Sequence, residues 1–238
     1  MKFKHKNLIS LVFALVLLPY FNNALNDTIT DTTIARPETT ITECGVIIIE
    51  PGSYELANDL TLNKPGDCIN IKSDNVDLDC KNHKISPSFS CGQGNENPPL
   101  TCIAIRVEKP LPGGQPIPQP KNILIKNCNI ENMVQAMSVI STNAKIQDNE
   151  LNGNYHGIVI GAMDPRIWAE NILLQANKIS GNSLEEVSGR GSPILIQRTK
   201  NAVLEKNEVC DDIEGPGWQG FPVYCDENSQ VVDGGKNL

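Results

Sequence analysis

Apolar and polar positions along this chain alternate in a pattern that restarts on an asparagine. Asn122 opens NILIKNCNIEN, Asn143 opens NAKIQDNELNGN, Asn171 opens NILLQANKISGN and Asn201 opens NAVLEKNEVCDD, at spacings of 21, 28 and 30 residues. In each segment apolar side chains fall one, three and eight residues after the leading asparagine: Ile123, Ile125 and Ile130; Ala144, Ile146 and Leu151; Ile172, Leu174 and Ile179; Ala202, Leu204 and Val209. A period of two means strands, and self-similarity at this length means a solenoid, because one such unit cannot bury its apolar face without its neighbours. A second short strand is expected in each coil over residues 136–140, 157–160, 193–196 and 221–224. Nothing between the strands repeats with a helical period. The predicted fold is therefore all-β, a right-handed parallel β-helix of six or seven coils, each advancing by the inter-strand spacing of about 4.8 Å.

Six residues after the leading asparagine stand Cys128, Asn149, Asn177 and Asn207, where the chain turns between two apolar stretches. Asparagine tolerates the left-handed conformation and its amide pairs from coil to coil, so this column reads as an internal asparagine ladder. Upstream, NVDLDCKNHKI from Asn75 repeats the theme with two extra residues, which brings His83 into the ladder register, pointing inward. CIAIRV from Cys102 supplies that coil's second strand, while GSYELANDLTL and CINIK form the opening coil. Between Asn75 and Asn122 lie two inserted loops, residues 86–101 and 108–121, the second rich in proline and glycine and so an extended surface loop.

These residues resemble a family. PGSYELANDLTL, CINIKSDNVDLDCKNHKI and the repeated N-x-x-[IL]-x-x-N-x-[ILV] are similar to right-handed parallel β-helix proteins of the pectin-lyase-like and NosD type, over nearly all of residues 44–233. The resemblance implies an elongated three-sided prism and, by association, recognition, cleavage or epimerisation of polysaccharides. It does not carry a mechanism across. Tyr155-His156-Gly157 and Arg198-Thr199-Lys200 precede Asp211-Asp212, whereas in polygalacturonase-like enzymes the Asp-Asp pair comes before both. The outward column Lys126, Gln147, Gln175 and Glu205 offers one carboxylate where a pectate-lyase-like calcium site needs several. Copper, which a NosD-type protein would suggest, finds only His83, His156, Met133, Met137 and Met163 after the leader.

The first 24 residues set Lys2, Lys4 and Lys6 ahead of an apolar run at 8–18, with Ala24 at the expected cut, as a signal peptide does. That run is too short for a membrane anchor, and no later segment is expected to span. The expected organisation is a signal peptide at 1–24, an extended segment at 25–43 and the β-helix at 44–238, in a secreted or periplasmic protein. Losing the three leader lysines takes 20 basic residues to 17 against 28 acidic, a balance of −11, with no basic run to hold nucleic acid. An anionic glycan would need calcium or a local cluster of Arg and Lys. All eight cysteines follow the leader and none forms a Cys-x-x-Cys pair, which favours disulfides over zinc or thioredoxin-like chemistry. Stacking suggests Cys44 with Cys68, Cys80 with Cys128, Cys91 with Cys102 and Cys210 with Cys225, although spacing alone leaves the connectivity open.

Stacking also decides which functional side chains meet. One edge is expected to gather Tyr155 and His156, Glu185, Glu186 and Arg190, and Asp211, Asp212, Glu214 and Trp218. Carboxylates beside an imidazole would serve glycosidic acid/base chemistry, with Asp211 or Asp212 as acid, Glu185 or Glu186 as partner, Arg190 as uronate anchor and Trp218 as stacking surface. The plainer reading is a set of solvated loop charges. The opposite turn carries Asp164, Arg166 and Trp168, then Arg198 and Lys200, then Asp226 and Glu227: its Arg166, Arg198 and Lys200 are a patch for an acidic sugar, or the turn holds local pairing of Asp164 with Arg166 and packing of Trp168 against the coil below. Acidic residues 211, 212, 214, 226 and 227 leave room for a structural calcium. Three functions follow: an exported β-helix that binds carbohydrate or another surface partner without catalysis, a polysaccharide lyase or glycoside hydrolase, and a structural or adhesive surface protein. No other cofactor is implied.

Overall fold

Every strand that alternation predicts must find a hydrogen-bonding neighbour, and in the computed structural model each finds it in the coil before or after its own. The structure describes residues 38–91, 101–110, 118–162, 164–181, 192–210, 223–225 and 229–235; for 223–225 it describes the backbone alone. All of these belong to the compact unit Arg36–Leu238.

Three parallel sheets result. Sheet A stacks β1 (Thr39–Ile41), β3 (Gly52–Leu56), β6 (Val76–Asp79), β9 (Lys121–Lys126), β12 (Thr142–Gln147), β15 (Ala169–Gln175), β18 (Thr199–Glu205) and β21 (Val231–Asp233). Sheet B stacks β2 (Val46–Ile48), β5 (Gly66–Ile71), β8 (Cys102–Val107), β11 (Gln135–Val139), β14 (His156–Ile160), β17 (Ile194–Ile196) and β20 (Val223–Cys225). Sheet C stacks β4 (Leu60–Leu62), β7 (Lys84–Pro87), β10 (Asn129–Glu131), β13 (Glu150–Asn152), β16 (Lys178–Ser180) and β19 (Glu208–Cys210). The chain visits A, C and B in turn, so every neighbour within a sheet lies one coil away. This is a parallel β-helix, with six coils that carry all three strands among the described residues. It begins before residue 44, because Thr39–Ile41 pairs with Tyr54–Leu56. No helix among the described residues is long and apolar enough to cross a membrane.

The expected apolar positions are the core. Ile123, Ile125, Ile130, Ala144, Ile146, Leu151, Ile172, Leu174, Ile179, Ala202 and Leu204 are all buried, while Val209, in the last described strand of sheet C, is partly so. The single apolar residue eight places after the leading asparagine is the centre of a three-residue strand of sheet C, a third strand too short to show as alternation.

Asn149, Asn177 and Asn207, each no more than 2% exposed, form the internal ladder. Asn149 Nδ2 donates to Asn177 Oδ1 at 2.9 Å, and Asn177 Nδ2 donates to Asn207 Oδ1 at 2.9 Å. Each amide also donates to a carbonyl of the preceding coil, Ile125, Ile146 and Leu174 in turn, and each Oδ1 accepts the backbone N–H of the residue above it in the column. A buried turn is thereby satisfied completely. Cys128 heads the column, bonded to Cys80 of the coil above.

The ladder differs from expectation in two ways. The left-handed residue of the turn is the one before the amide: Asn127, Asp148, Ala176 and Lys206, with φ from 53 to 55°. The stack imposes that conformation on Ala and Lys, which have no intrinsic preference for it. His83, expected inside, is not there. Its side chain is 35% exposed and its Nδ1 lies 3.3 Å from Asp59 Oδ1, because Lys81 and Asn82, both left-handed, bulge out between Cys80 and the next strand.

A second ladder runs outside. Asn75, Asn122, Asn143, Asn171 and Asn201 all have φ of 56–58° and lie exposed, each later Nδ2 donating to the preceding Oδ1 at 2.9–3.2 Å. The asparagine that marks the repeat is thus a turn residue whose amide also ties coil to coil.

Disulfides join Cys44 with Cys68, Cys80 with Cys128 and Cys91 with Cys102, as stacking suggested. The side chain of Cys225 lies outside the described residues, and with it the fourth pairing. Asp74 clasps both ends of the proline-rich insertion, accepting from Lys109 Nζ at 2.9 Å and from the Lys121 N–H at 3.1 Å. Gly161, at φ +83°, is a point of close approach: a Cβ there would lie 1.7 Å from the Gln197 carbonyl oxygen.

Candidate functional site

The B-to-A turn assembles the clearest cluster. Ile167 is buried beside Trp168, which leads into β15 and stays 37% exposed. β18 of the next coil pairs with β15 residue by residue, placing Thr199 beside Ala169 and Lys200 beside Glu170. Lys200 Nζ therefore sits 5.2 Å from the Trp168 ring centroid and Arg198 Cζ 5.9 Å from it, both within cation–π range. Three of the residues expected at this turn come together, from positions 30 and 32 residues apart in the chain.

Arg166 takes another partner. Its guanidinium and backbone N–H both bond Asp164, whose carboxyl is drawn down to a pKa of about 2 by those hydrogen bonds. The pair is exposed and local, so it shapes the turn and offers little stability.

At the opposite, C-to-B, turn only Tyr155 and His156 are described. Glu185, Glu186, Arg190, Asp211, Asp212 and Trp218, expected to join them, lie outside the described residues, as do 214, 226 and 227. The Tyr155 and His156 rings meet edge to face, centroids 4.5 Å apart. His156 Nδ1 accepts the Ser192 N–H at 3.0 Å, so the neutral ring holds its proton on Nε2, and burial pushes its pKa below the usual imidazole value. An imidazole neutral when folded and protonated more easily when unfolded costs stability in acid. We expect the urea midpoint to fall as pH drops from about 6.5 toward the lower folded pKa, and His156→Gln to flatten that slope. An unchanged slope in the variant would contradict the buried setting.

Sheet B carries polar groups that the sequence did not single out. Asp67, Ile103, Gln135 and His156 share one register row; Asn70, Arg106, Ser138, Val159, Leu195 and Tyr224 share another. Arg106 bonds Asp67 through Nε at 2.7 Å and Nη2 at 3.2 Å, and Glu108 through Nη1 at 3.0 Å. Opposite charges 39 residues apart gave no signal before the coils were stacked. Every arm of that guanidinium is engaged within the chain, which marks it as a brace between coils rather than an anion receptor.

The outward column of sheet A runs further than Lys126, Gln147, Gln175 and Glu205. Glu55 and Asp79 continue it, giving three carboxylates where one was expected. Lys81 lies 3.3 Å from Glu55 and 3.7 Å from Asp79, while Lys126 reaches Asp77 at 3.2 Å. Lysines match Glu55 and Asp79, Glu205 accepts from Gln175 Nε2 at 3.0 Å, and among the described residues no three His, Cys, Asp or Glu side chains converge as a metal site would require.

No family model and no curated protein matches the chain. Among solved structures it is similar to the Dettilon tailspike protein, at 11% sequence identity and a TM-score of 0.34, over 84% of this chain and 56% of that one. The chain thus spans little more than half the length of that structure.

Proposed function

We propose that this is an exported β-helix protein that binds a carbohydrate or another surface partner without catalysis. The observation that carries the reading is the exposed Trp168 ring flanked by Lys200 and Arg198. A flat apolar face takes the C–H face of a sugar ring, and the two cations beside it favour a ligand with carboxylate or other anionic groups. The protein is acidic overall, so a cationic patch of this kind is a local departure from its charge. Three disulfides suit an oxidising compartment, and the resemblance to pectin-lyase-like and NosD-type repeats supports a polysaccharide as the partner.

A glycan array followed by titration tests it. Acidic oligosaccharides are expected to bind intact, and Trp168→Ala to weaken them by about tenfold, near 1.4 kcal/mol. Release of unsaturated or new reducing-end products would assign a lyase or hydrolase instead. No binding to any glycan would leave the structural or adhesive reading.

A further inference from the structure

One rung of sheet B runs through an ionisable side chain. Tyr155 and His156, at the head of β14, donate their backbone N–H groups to the carbonyls of Met133 and Val134, each at 2.9 Å. Ser192 stands two residues ahead of Ile194, as His156 does ahead of Ile158, and those two isoleucines are register partners. Where His156 uses a carbonyl, the Ser192 N–H goes to the His156 imidazole, with Nδ1 at 3.0 Å. The next contacts are backbone alone: Gly157 N–H donates to the Ser192 carbonyl at 3.2 Å and Ile158 N–H to the Pro193 carbonyl at 2.8 Å. A carbonyl accepts at any pH, whereas an imidazolium carries a proton on both nitrogens and can only donate. Protonation therefore sets Nδ1–H against the Ser192 N–H. The ring is faced by Tyr155 edge-on, by Gln135 of β11 and by Ser192, and among the described residues no carboxylate pairs with it. Asp67, the carboxylate of its register row, stands three inter-strand spacings away, about 14 Å, and is held by Arg106.

We infer that the His156–Ser192 rung is an acid-sensitive latch between β14 and β17, closed while the imidazole is neutral and open once it is protonated. What it holds lies further along the same two strands. β14 runs on into the turn that carries Trp168, and β17 runs through Gln197 into Arg198 and Lys200, the cations beside that ring. Three register pairs separate latch from patch: Ile158 with Ile194, Val159 with Leu195 and Ile160 with Ile196. Arg198 is left-handed at φ 44°, a conformation that arginine keeps only where its surroundings impose it. Loosening β17 in acid therefore relaxes Arg198 and draws the cations off Trp168. The latch works whatever the patch binds, so its test needs no ligand and stands or falls apart from the carbohydrate reading.

Amide hydrogen exchange and Trp168 fluorescence, followed together from neutral pH into mild acid, test it, with Trp218→Phe leaving Trp168 as the sole tryptophan. Burial holds the His156 pKa below the usual imidazole value, so opening begins beneath about pH 6.5. Protection of the Ser192 amide, corrected for intrinsic exchange, is expected to fall by at least about tenfold while amides of β9 and β12 keep theirs. Trp168 emission should change over the same interval. His156→Asn places Oδ1 where Nδ1 was and cannot titrate, so protection and emission should hold their neutral values in acid. His156→Phe offers no acceptor and should be open at every pH, which separates loss of the rung from gain of charge. A Ser192 amide equally protected at both ends of the range, or one that His156→Asn leaves as acid-sensitive as the wild type, would overturn the latch. Protection lost throughout the molecule at once would do the same, since that is global unfolding. Exchange that responds while Trp168 does not would sever the latch from the patch.

Discussion

Asn177→Ala is expected to lower the unfolding free energy by about 3–5 kcal/mol, at the upper end of what single substitutions do. Asn177 is 1% exposed and its amide makes contacts in both directions. Its Oδ1 accepts from the Asn149 N–H and Nδ2, and its own Nδ2 donates to Asn207 Oδ1 and the Ile146 carbonyl. Truncation leaves at least three of these partners buried without a counterpart, each worth roughly 1–3 kcal/mol when orphaned, less what a water in the vacated space recovers. The outer ladder supplies the control. Asn143→Gly removes an exposed amide at φ 58°, a conformation glycine adopts freely, so its cost should stay near or below about 1 kcal/mol. Urea unfolding followed by circular dichroism measures both. Equal costs for the two would mean that burial of the inner amides contributes nothing.

The two ladders also show what the sequence could and could not disclose. The inner column was legible because polar asparagines recurred between apolar positions, where only a paired amide tolerates burial. The left-handed turn residue was not, since Ala176 and Lys206 occupy it in two coils and neither type advertises a positive φ; the coil above and below overrides local preference. His83 was misplaced by counting two extra residues into the turn when Lys81 and Asn82 loop outward. Sheet C escaped because three-residue strands hold one inward side chain each, too few to show a period. Among candidate sites, Trp168, Arg198 and Lys200 could be grouped in advance because one register shift separates them. Asp67 with Arg106 could not. Charges that far apart acquire meaning only when the exact length of each coil, insertions included, is known.

Removing the Cys80–Cys128 bridge is the other large effect, and here burial and chain entropy act together. The bond closes 48 residues, for which loop closure alone predicts about 4 kcal/mol, against about 3 to 3.5 for the shorter loops of Cys91–Cys102 and Cys44–Cys68. The Cys91–Cys102 bridge inside that loop shortens it, but the dependence on length is logarithmic and the change small. Both sulfurs are in the core, Cys80 at 0% and Cys128 at 2% exposure, so Cys80→Ala with Cys128→Ala also opens a void and should cost the most of the three pairs. A sharper test uses the column itself. In the coils below, the position of Cys128 is held by Asn149, Asn177 and Asn207, and the Asn149 Oδ1 already accepts the Cys128 N–H at 2.9 Å. An asparagine at 128 would have that oxygen as a second acceptor, and the Leu78 carbonyl, in register with Ile125, as the equivalent of the carbonyls used below. Cys80→Ala with Cys128→Asn should therefore recover about 1–2 kcal/mol relative to the double alanine, by adding a rung where a bond was lost. If the asparagine variant is instead less stable than the alanine one, the amide at 128 is buried without partners, and the ladder's geometry ends at Asn149 because the coil above cannot accept it.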